Sequence, residues 1–391
     1  MLISSLVPLT TAIDFLLLIL CLSAIWFYSY ASYVGIVFFR RLLPPLDQKF
    51  HPPITILKPI CGIDSDAYEN LASFCQQDYP QYQLIFAVLE REDPGIEIVQ
   101  KVIHDFPDLD IQLIIGEATT TIGANRKVSN LVNAFTKAKY DILVIADSDI
   151  RVGRDYLQRV IQPLKAENVG IVTCLYRSLA QGLVATLEAL GTATEFQAGV
   201  LVSRQLEGVK FALGQTIVIR KNVLEAIGGF TAISDYLADD FQLGYLSAQA
   251  GYQVVLSDFV VEHVLATTTL VDSFKRLIRW ARGVRVSRPW GYLGLIFTHG
   301  TATSLLFLIA TGGSTLGWVV LATTWTIRLI MAWIIGVNIL NDPQAKKIIW
   351  LVPLRDIISF AIWLYSFMGN TIEWRGRRLK LTKSGKLVQI S

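Results

Sequence analysis

Two aspartates separated by one residue, Asp147 and Asp149, form the most chemically suggestive pair in the sequence. They follow the apolar residues 142–145, which have the composition of a buried strand. Two carboxylates in such a turn can share a hard divalent cation, because Mg²⁺ takes one or two protein carboxylates together with phosphate oxygens of a substrate. A metal held there would neutralise negative charge on a departing diphosphate. The alternative is an ordinary solvated turn, since this short pattern also occurs by chance.

A second acidic pair, Asp239 and Asp240, is flanked by Tyr236, Leu237 and Phe241. Apolar surroundings hydrate a carboxylate poorly and raise its pKa, which suits a general base. The alternative is the start of a helix, where the helix dipole favours acidic side chains. The two interpretations are compatible, because a base can also stand at a helix start.

A third candidate is the basic and aromatic set Arg276, Arg279 and Trp280. On a helix these residues fall at i, i+3 and i+4 and therefore share one face. Two guanidinium groups beside an indole can bind a diphosphate and stack on a ring. The alternative is a basic helix beside the membrane that meets lipid phosphates. This second role is assigned to the arginines that follow, Arg282, Arg285 and Arg288.

Short β-type runs alternate with helical stretches through the middle of the chain, which indicates βαβ units and a mainly parallel sheet. Strands are predicted at residues 54–57, 83–89, 110–115 and 141–146, with helices at residues 68–76, 95–105 and 125–138. Ligands of such sheets bind beyond the carboxyl ends of the strands. Because Lys58, Glu90 and Asp147 each follow a strand end, charged groups are expected to converge on one sheet edge.

The chain is 52% hydrophobic and only 17% charged, and its uncharged residues are concentrated in separate stretches. Residues 15–39 carry no charge and exceed the roughly 20 apolar residues that a membrane-spanning helix requires. Arg40 and Arg41 follow at once, which predicts an uncleaved anchor whose C-terminal end faces the cytoplasm. The middle of the chain has an ordinary charge content, which predicts a soluble domain between membrane segments.

The C-terminal apolar region predicts two membrane crossings within residues 291–340, joined by a tight turn at residues 311–314. Arg328, within the second crossing, would have to face protein or reach the interface. A further apolar piece, residues 348–372, carries charges near its start, and such charges are costly in lipid. We expect this piece to lie at the interface or to re-enter the membrane. A third full crossing is the alternative, but it would place the basic residues after Trp374 outside.

Composition also argues against some function classes. The net charge of +3 and the lack of a basic run in the soluble part exclude nucleic acid as the expected partner. No feature of the sequence indicates an obligate protein partner. The cysteines have no metal-binding spacing and are expected to be reduced thiols facing a cytosol. They are Cys21, Cys61, Cys75 and Cys174.

An ordered set of motifs resembles the ceramide glucosyltransferase family, from the anchor almost to the C-terminus. The motifs are Ile56-Leu57-Lys58-Pro59 with Gly62, Asp147 to Val152, Asp239-Asp240, Arg276 to Trp280, and Trp374 to Arg377. Residues 125–131 and 172–177 look closest to bacterial members, some of which are hopanoid-associated glycosyltransferases. The resemblance implies an inverting glycosyltransferase with an α/β GT-A fold, a Rossmann-like sheet flanked by transmembrane helices.

The resemblance also implies a role for each candidate residue. Lys58, Glu90 and Lys127 would line the nucleotide pocket, with Asp147 on the donor side and Asp149 carrying Mg²⁺ or Mn²⁺. Asp240 would be the base, and Arg276, Arg279 and Trp280 would hold the diphosphate and the acceptor. Asp239 and Gly229, in the turn Gly228-Gly229-Phe230, would lie on the acceptor side. Glu90 departs from the family, which usually has Asp at that position.

These patterns divide the chain into an anchor, a catalytic domain and C-terminal membrane helices. The expected parts are an anchor at 1–41, a cytoplasmic GT-A domain at 42–268, an interfacial helix at 269–290, membrane helices at 291–372 and a basic cytoplasmic tail at 373–391. Within the catalytic domain, residues 178–203 have leucines at helical spacing. This segment fits a core helix, and it fits equally a helix on the bilayer surface that opens the site to a lipid.

The expected activity is transfer of a hexose from a UDP-sugar, UDP-glucose first, to a lipid hydroxyl, which would turn an α-linked donor into a β-glycoside. The enzyme would be integral to a membrane, a bacterial inner membrane by its resemblance. A hopanoid with UDP-N-acetylglucosamine and diacylglycerol are alternative acceptor systems. A processive polysaccharide synthase is the rival enzyme, but Arg276 replaces its usual Gln and few helices remain for a polymer channel. A non-enzymatic membrane adaptor is disfavoured by the intact Asp147, Asp149 and Asp240.

Overall fold

The computed structural model describes residues 12–40, 46–116 and 122–390. Arg41, the second residue of the basic pair predicted to end the anchor, lies outside the described residues. The chain forms two compact units. The first unit comprises Met1–Leu42, Gly182–Leu206 and Thr267–Trp374, and the second comprises Leu43–Gln181, Glu207–Ala266 and Arg375–Ser391.

The α-helices and the strands alternate along the second unit, whereas the first unit is mainly helical. The helices are α1 (Ala12–Arg40), α2 (Ala67–Ser73), α3 (Gly95–Asp105), α4 (Arg126–Phe135), α5 (Tyr156–Val160), α6 (Leu183–Gly191), α7 (Gln197–Glu207), α8 (Lys221–Ala226), α9 (Asp239–Gln249), α10 (Leu270–Ser287), α11 (Pro289–Gly294), α12 (Gly300–Ala310), α13 (Thr315–Ala332), α14 (Pro343–Ile348) and α15 (Val352–Ser366). The strands are β1 (Ile54–Ile60), β2 (Tyr82–Val88), β3 (Asp110–Ile115), β4 (Ile142–Ile145), β5 (Ile150–Arg151), β6 (Val169–Ala180), β7 (Ile217–Arg220), β8 (Gln253–Leu265), β9 (Thr371–Trp374), β10 (Arg377–Leu381) and β11 (Leu387–Gln389).

The second unit is built on an eight-stranded sheet in the order β3-β2-β1-β4-β7-β6-β8-β5. Strands β3, β2, β1 and β4 run parallel, as the alternation of strands and helices predicts. Strand β7 is antiparallel to both of its neighbours, and β6 and β8 are parallel to each other. The unit therefore has the α/β fold class expected from the sequence, with a mixed half of the sheet beyond β4.

Both faces of this sheet are covered, because neighbouring residues of one strand enter different hydrophobic clusters. Ile56 and Val144 belong to one cluster, whereas Leu57 and Leu143 belong to another. Side chains of a strand alternate between its two faces, so a sheet buried on both sides reads as a continuous apolar run. This burial fixes the strands that carry the candidate site.

Strand β1 is longer than predicted and ends at Ile60 rather than before Lys58. Its pairing continues with β2 through Lys58, Pro59 and Ile60. Lys58 therefore lies inside a buried strand rather than at the start of a loop. Its side chain is buried in the protein. Strand β3 and helix α3 have the bounds that the sequence predicts.

The C-terminal residues form a β-hairpin in the second unit, where the sequence predicts only a basic tail. Strands β10 and β11 pair antiparallel. The Leu387 N–H donates to the carbonyl of Asp235 at 2.7 Å, and the Leu237 N–H donates to the carbonyl of Gly385 at 3.2 Å. The tail is thus hydrogen-bonded to the segment that leads into α9, the helix that begins with Asp239.

The first unit contains helices that are long and apolar enough to cross a membrane. Three candidates occur among the described residues, at Ala12–Arg40, Thr315–Ile339 and Pro343–Ser366. A fourth, Pro289–Thr298 with Gly300–Ala310, is bent by 54° at its break. The turn predicted at residues 311–314 separates α12 from α13. The last candidate includes the piece expected at the interface, and the number of crossings stays a prediction.

Small residues allow close approach inside this helical unit. A Cβ on Gly300 would lie 2.7 Å from the Cβ of Ala24 and 2.9 Å from the Tyr28 hydroxyl, so only glycine fits there. Close contact through small residues is typical of helices packed in membranes. Arg328 faces protein, as one of the two sequence alternatives requires, and pairs with Asp356 at 2.7 Å.

Residues 178–203 are only partly helical. Strand β6 continues to Ala180, and α6 and α7 follow with a π-helical turn, Thr192–Phe196, between them. Helix α6 buries Glu188, Ala189 and Leu190 and leaves Leu183 exposed. The buried face agrees with a core helix, and the exposed Leu183 agrees with a helix on the bilayer surface. The structure therefore leaves both alternatives for this segment open.

Candidate active site

The loop after β4 carries Asp147 and Asp149 and is held on both sides by its neighbours. The Lys58 ammonium donates to the carbonyl of Asp147 at 2.9 Å. The Val264 N–H donates to the carbonyl of Asp149 at 2.8 Å. These two bonds fix the backbone of the acidic loop, so the carboxylates are positioned by the sheet rather than by the loop alone.

Lys58 lies beneath this loop. Its side chain is fully buried, and its ammonium stands 3.6 Å from the centroid of the Phe74 ring. Burial lowers the pKa of Lys58 to about 7, against the opposing effect of the Asp149 and Asp147 charges. The predicted contact of Lys58 with a nucleotide stays a prediction. The geometry favours a structural role for Lys58, which supports the loop of Asp147 and Asp149.

His263 is a site residue that the sequence analysis missed. Its Nε2 lies 3.2 Å from Asp149 Oδ2, and its Nδ1 lies 3.3 Å from Ser178 Oγ. Burial would raise the pKa of Asp149, but His263 and then Lys58 outweigh it and hold that pKa below its usual value. No motif surrounds His263 in the sequence. Only the pairing of Ile150 with His263 across β5 and β8 brings it to the acidic loop.

One ammonium group joins the two acidic motifs. Lys127 Nζ lies 2.7 Å from Asp147 Oδ1 and 3.2 Å from Asp239 Oδ2. Burial opposes the charge on Lys127, but Asp147, Asp239 and Asp240 together raise its pKa, so Lys127 stays cationic. Burial likewise raises the pKa of Asp147 despite the Lys127 charge. Motifs about ninety residues apart thus meet at one cation.

Gly214 lies next to the charged groups of this cluster. A Cβ there would lie 3.2 Å from both Asp147 Oδ2 and Asp240 Oδ2, and 3.5 Å from Lys127 Nζ. Its N–H donates to Asp240 Oδ2 at 2.9 Å. A side chain at this position would crowd the carboxylates of Asp147 and Asp240, which is a reason for glycine that the sequence alone does not reveal.

The two carboxylates at the start of α9 have different surroundings. Asp239 is buried and is engaged by Lys127 and by the Asn125 side-chain amide, at 3.3 Å. Asp240 is only half-buried. Burial and then the neighbouring Asp239 charge raise the pKa of Asp240 to about 6. A carboxylate that is partly accessible and titrates near neutral pH suits a general base.

The loops after β1 and β2 are joined by Asp93 rather than by Glu90. Both carboxylate oxygens of Asp93 accept from the Gly62 N–H, at 3.0 and 2.8 Å. Glu90 instead forms an ion pair with Arg126 near the surface. The predicted role of Glu90 in the nucleotide pocket stays a prediction, and its carboxylate is already engaged by a guanidinium.

Asp64 is an acidic residue beside the loop that the sequence analysis also missed. It accepts from the Ser148 hydroxyl, between the two aspartates of the loop, and lies 3.6 Å from Arg375. Burial and the Asp149 charge raise the pKa of Asp64. Its only sequence signal is a position shortly after the first strand.

The residues of the arginine–tryptophan motif belong to the first unit, on α10. Arg276 forms a bidentate pair with Glu188, Nε to Oε1 at 2.6 Å and Nη2 to Oε2 at 2.8 Å. The Glu188 side chain is 1% exposed and also accepts from Ser273 Oγ at 2.8 Å. Arg276 is therefore engaged with a buried carboxylate. Its predicted diphosphate contact stays a prediction and would compete with this pair.

The remaining predicted site residues are Arg279 and Trp280 in the first unit and Gly229 in the second. The Arg279 guanidinium stands over the Trp374 ring, 5.3 Å from its centroid, and Trp280 is half-buried. In the second unit, Gly229 adopts φ +69° just before the 3₁₀ helix Phe230–Ile233, a conformation that favours glycine. Contacts of these residues with donor or acceptor stay predictions.

The chemistry of the second unit fits a divalent ion that binds together with a diphosphate. Among residues 12–40, 46–116 and 122–390, no three His, Cys, Asp or Glu side chains are grouped as a complete metal site. Asp149 and His263 nevertheless offer a carboxylate and an imidazole side by side. Mg²⁺ and similar ions complete their shells with water and substrate phosphate oxygens. Two protein donors are enough for such a site.

Comparisons with known proteins agree on one family. The family model described as glycosyl transferase family 21 matches residues 16–387. Ceramide glucosyltransferase 1 of Caenorhabditis elegans is 27% identical over 386 residues, covering 94% of this chain and 81% of that protein. Ceramide glucosyltransferase 3 of the same organism is 24% identical, covering 86% of this chain and 74% of that protein.

A solved structure shares the fold. The mannosyltransferase PcManGT from Pyrobaculum calidifontis, solved in complex with GDP-Man and Mn²⁺, matches with a TM-score of 0.56. The two chains are 18% identical, and the match covers 91% of this chain and 99% of the other. At this identity the comparison establishes the fold class, which agrees with the glycosyltransferase fold expected from the sequence.

Proposed function

Because the chain belongs to glycosyl transferase family 21 and is a glycosyltransferase, we propose that it moves a hexose from a UDP-sugar to the hydroxyl group of a membrane lipid. UDP-glucose is the expected donor. The observation that carries the proposal is the half-buried Asp240, with its raised pKa, next to Asp239, which Lys127 joins to Asp147 of the acidic loop. A base beside a site for a diphosphate and its metal is what glycosyl transfer to an alcohol requires.

The proposed reaction is a single in-line displacement. Asp240 accepts the proton of the lipid hydroxyl as its oxygen attacks the anomeric carbon. The bond between that carbon and the phosphate oxygen breaks, and the nucleoside diphosphate leaves with the bonding electrons. Attack from the opposite face inverts the anomeric centre, so an α-linked donor yields a β-glycoside. Gly214 and Lys127 hold Asp240 and its neighbours in place for this step.

The leaving group needs compensation for its negative charge. Asp149 and His263 are the residues that would hold Mg²⁺ or Mn²⁺, and the bound ion would neutralise charge on the diphosphate. Lys127, kept cationic by three carboxylates, fixes Asp147 so that this loop does not depend on the ion for its shape. Arg279 remains the candidate for an additional contact with the diphosphate.

The acceptor is proposed to be a lipid on two grounds. The ceramide glucosyltransferases of Caenorhabditis elegans align over most of the chain, and apolar helices suited to a membrane flank the sugar-transfer unit in sequence. Ceramide is the first acceptor to test. A hopanoid with UDP-N-acetylglucosamine, and diacylglycerol, are the alternative systems.

The test is a direct transfer assay. Purified protein in lipid nanodiscs is incubated with Mn²⁺ and either radiolabelled UDP-glucose with ceramide or diacylglycerol, or radiolabelled UDP-N-acetylglucosamine with a hopanoid, and the lipid fraction is analysed. The expected product is one lipid bearing a single added sugar, with Asp240→Asn as the inactive control. A ladder of long saccharide chains would contradict lipid transfer and favour a polysaccharide synthase.

A further inference from the structure

The strand order of the second unit defines a crevice in which a ligand would bind. From β1 the chain proceeds outward through β2 and β3 on one side, whereas β4 lies against the other side of β1. Open α/β sheets bind ligands beyond the carboxyl ends of the strands at which the order reverses in this way. Because β1 and β4 are parallel, the loop after β1, with Gly62 and Asp64, and the loop of Asp147 and Asp149 flank this crevice.

Arg375, which is distant in the sequence, lies beside both loops. Its Nη2 is 3.6 Å from Asp64 Oδ1, and its Nη1 would be 3.8 Å from a Cβ on Gly62. Asp64 in turn accepts a hydrogen bond from Ser148, in the middle of the acidic loop. Burial raises the pKa of Asp149, and neighbouring groups, Arg375 among them, outweigh that effect. A guanidinium thus stands at the carboxyl ends of β1 and β4.

The Arg375 guanidinium is accessible to a ligand. Its side chain is 51% exposed. The 3.6 Å separation from Asp64 is longer than a hydrogen bond, so the pair is electrostatic and leaves guanidinium N–H donors for another acceptor. Lys127, by contrast, is 17% exposed and already pairs with Asp147 and Asp239. A phosphate group in the crevice can therefore accept hydrogen bonds from Arg375.

The backbone at Arg375 has a conformation that arginine does not favour. Arg375 has φ +50° and Gly376 has φ +74°, and these two residues form the turn between β9 and β10. Positive φ at both central residues is typical of a type I′ turn, whose first position usually holds Asn, Asp or Gly. A residue other than glycine in such a conformation is a candidate for a functional role. Turn chemistry alone therefore does not account for the arginine.

A diphosphate in this crevice would need a nearby cation. Asp147 and Asp149 are partly exposed there, and Asp64 lies beside them. The diphosphate would add negative charge to these carboxylates, and like charges at close range repel each other unless cations compensate them. Arginine suits this task, because its planar guanidinium matches two phosphate oxygens at once and stays charged.

We propose that Arg375 binds the diphosphate of the nucleotide donor from the side of the loop after β1. Its guanidinium would donate bidentate hydrogen bonds to phosphate oxygens, and Asp64 would position it through their ion pair. This inference rests on the proposed use of a nucleotide-sugar donor, and it concerns contacts within the second unit. It gives the C-terminal motif at residues 374–377 a task in donor binding.

The test measures nucleotide binding in the absence of an acceptor. Full-length protein in phosphatidylcholine nanodiscs is titrated with UDP and Mn²⁺, for wild type, Arg375→Asn and Arg375→Lys. Loss of hydrogen bonds to a charged group predicts UDP affinity about 10–100-fold weaker in Arg375→Asn, with partial recovery in Arg375→Lys. Arg378→Ala, which removes an exposed arginine of β10, is the matched control and should bind UDP like wild type.

Three further measurements separate a phosphate contact from a structural role. Arg375→Asn should unfold no earlier than wild type on heating, because asparagine tolerates positive φ. Uridine, which has no phosphate, should displace labelled UDP from the site with the same affinity in wild type and Arg375→Asn. Mn²⁺ alone should bind Arg375→Asn at least as tightly as wild type, since the variant lacks a cation close to Asp149.

Equal UDP affinity in wild type and Arg375→Asn would overturn the inference. So would equal losses of affinity for UDP and uridine, or equal losses of UDP affinity in Arg375→Asn and Arg378→Ala. If wild type makes a lipid glycoside while its UDP affinity does not depend on Arg375, the inference alone fails. If wild type binds UDP through Arg375 but glycosylates no lipid, the proposed function fails and the diphosphate contact stands.

Discussion

At the scale of single residues, the candidate site depends on how the half-buried Lys127 and its neighbours pair with the carboxylates of Asp147, Asp149, Asp239 and Asp240. Lys127 pairs with Asp147 and Asp239, and His263 pairs with Asp149. Asp240 is left with backbone N–H donors, from Gly214 and Phe241, and a raised pKa. The four aspartates thus differ in their partners, and mutations of each should affect metal binding, donor binding and turnover differently.

Replacement of Asp240, the proposed base, is the most diagnostic change. Asp240→Asn keeps the shape of the side chain but cannot take a proton, so turnover should fall by on the order of 10²–10⁴. Binding of UDP-glucose, measured by calorimetry, should hardly change, since the diphosphate is held elsewhere. Asp239→Asn is the matched control and should reduce turnover less. Near-normal turnover of Asp240→Asn with an inactive Asp239→Asn would reverse the assignment.

The raised pKa of Asp240 predicts a pH dependence. The base acts only when deprotonated, so kcat/KM should fall about tenfold per pH unit as the pH drops below a value near 6, and level off above it. A pH–rate profile of wild type and of Asp240→Asn checks this. The residual activity of the variant should lack that limb. A limb that persists in the variant would assign the titration to another group.

The metal site predicts a graded effect for its two protein donors. Asp149→Ala should lose Mn²⁺ binding and weaken donor binding, while His263→Ala, which removes the other proposed protein donor, should weaken Mn²⁺ affinity to a smaller extent. Titration of Mn²⁺ in the presence of UDP, followed by its paramagnetic resonance, measures both. Full turnover of wild type in excess chelator would remove the metal from the mechanism.

At the scale of elements, Arg276 links α10 to α6 inside the first unit. Its guanidinium occupies both oxygens of Glu188, which is buried and also bonded to Ser273. Removing one partner of a buried ion pair leaves an uncompensated charge, whereas exposed pairs contribute little. The arginine motif therefore has a structural task in addition to any contact with the diphosphate.

This pair predicts a loss of stability on both sides. Arg276→Ala and Glu188→Gln should each lower the free energy of unfolding by about 3–5 kcal/mol, seen as earlier thermal unfolding of the solubilised protein. Lys275→Ala, which breaks the exposed pair with Glu373 one position away, is the control and should unfold like wild type. If Arg276 served the donor alone, Glu188→Gln would leave stability unchanged.

The contacts of helix α15 with α10 bear on its position relative to the membrane. Tyr365 on α15 packs against Phe274 of α10 with ring centroids 5.2 Å apart, and the Arg282 guanidinium stands 5.6 Å from the Tyr365 ring centroid. Helix α10 carries several arginines and suits a membrane surface rather than a membrane interior. Contact with α10 favours an interfacial position for α15, in line with the sequence interpretation of residues 348–372.

At the scale of the whole molecule, the hairpin β10–β11 constrains the topology. Leu43–Gln181 and Arg375–Ser391 belong to the same compact unit, so they must lie on the same side of the bilayer. If the chain between Ala266 and Arg375 crosses a membrane, it should therefore do so an even number of times. We infer two crossings, the bent segment that ends in α12 and the helix Thr315–Ile339 that begins with α13, with α15 along the interface.

The topology predicts the accessibility of the tail. A cysteine placed at Lys383 in a variant without native cysteines should be labelled by an impermeant maleimide only after the cells are opened. A cysteine replacing Gln158 in the sheet unit is the matched control and should behave identically. Labelling of position 383 but not of position 158 from outside intact cells would require an odd number of crossings, and labelling of both would contradict the predicted cytoplasmic placement of the unit.

The sequence by itself determined the fold class and the position of the acidic loop. Parallel strands end at one edge of a sheet, so Asp147 and Asp149 could be placed from the alternation of apolar runs alone. Tertiary structure decided which side chains pair. Lys58 is buried because β1 runs on to Ile60, and His263 reaches Asp149 only through the register of β5 and β8. Contacts between residues a hundred positions apart depend on packing of whole elements, which no local pattern encodes.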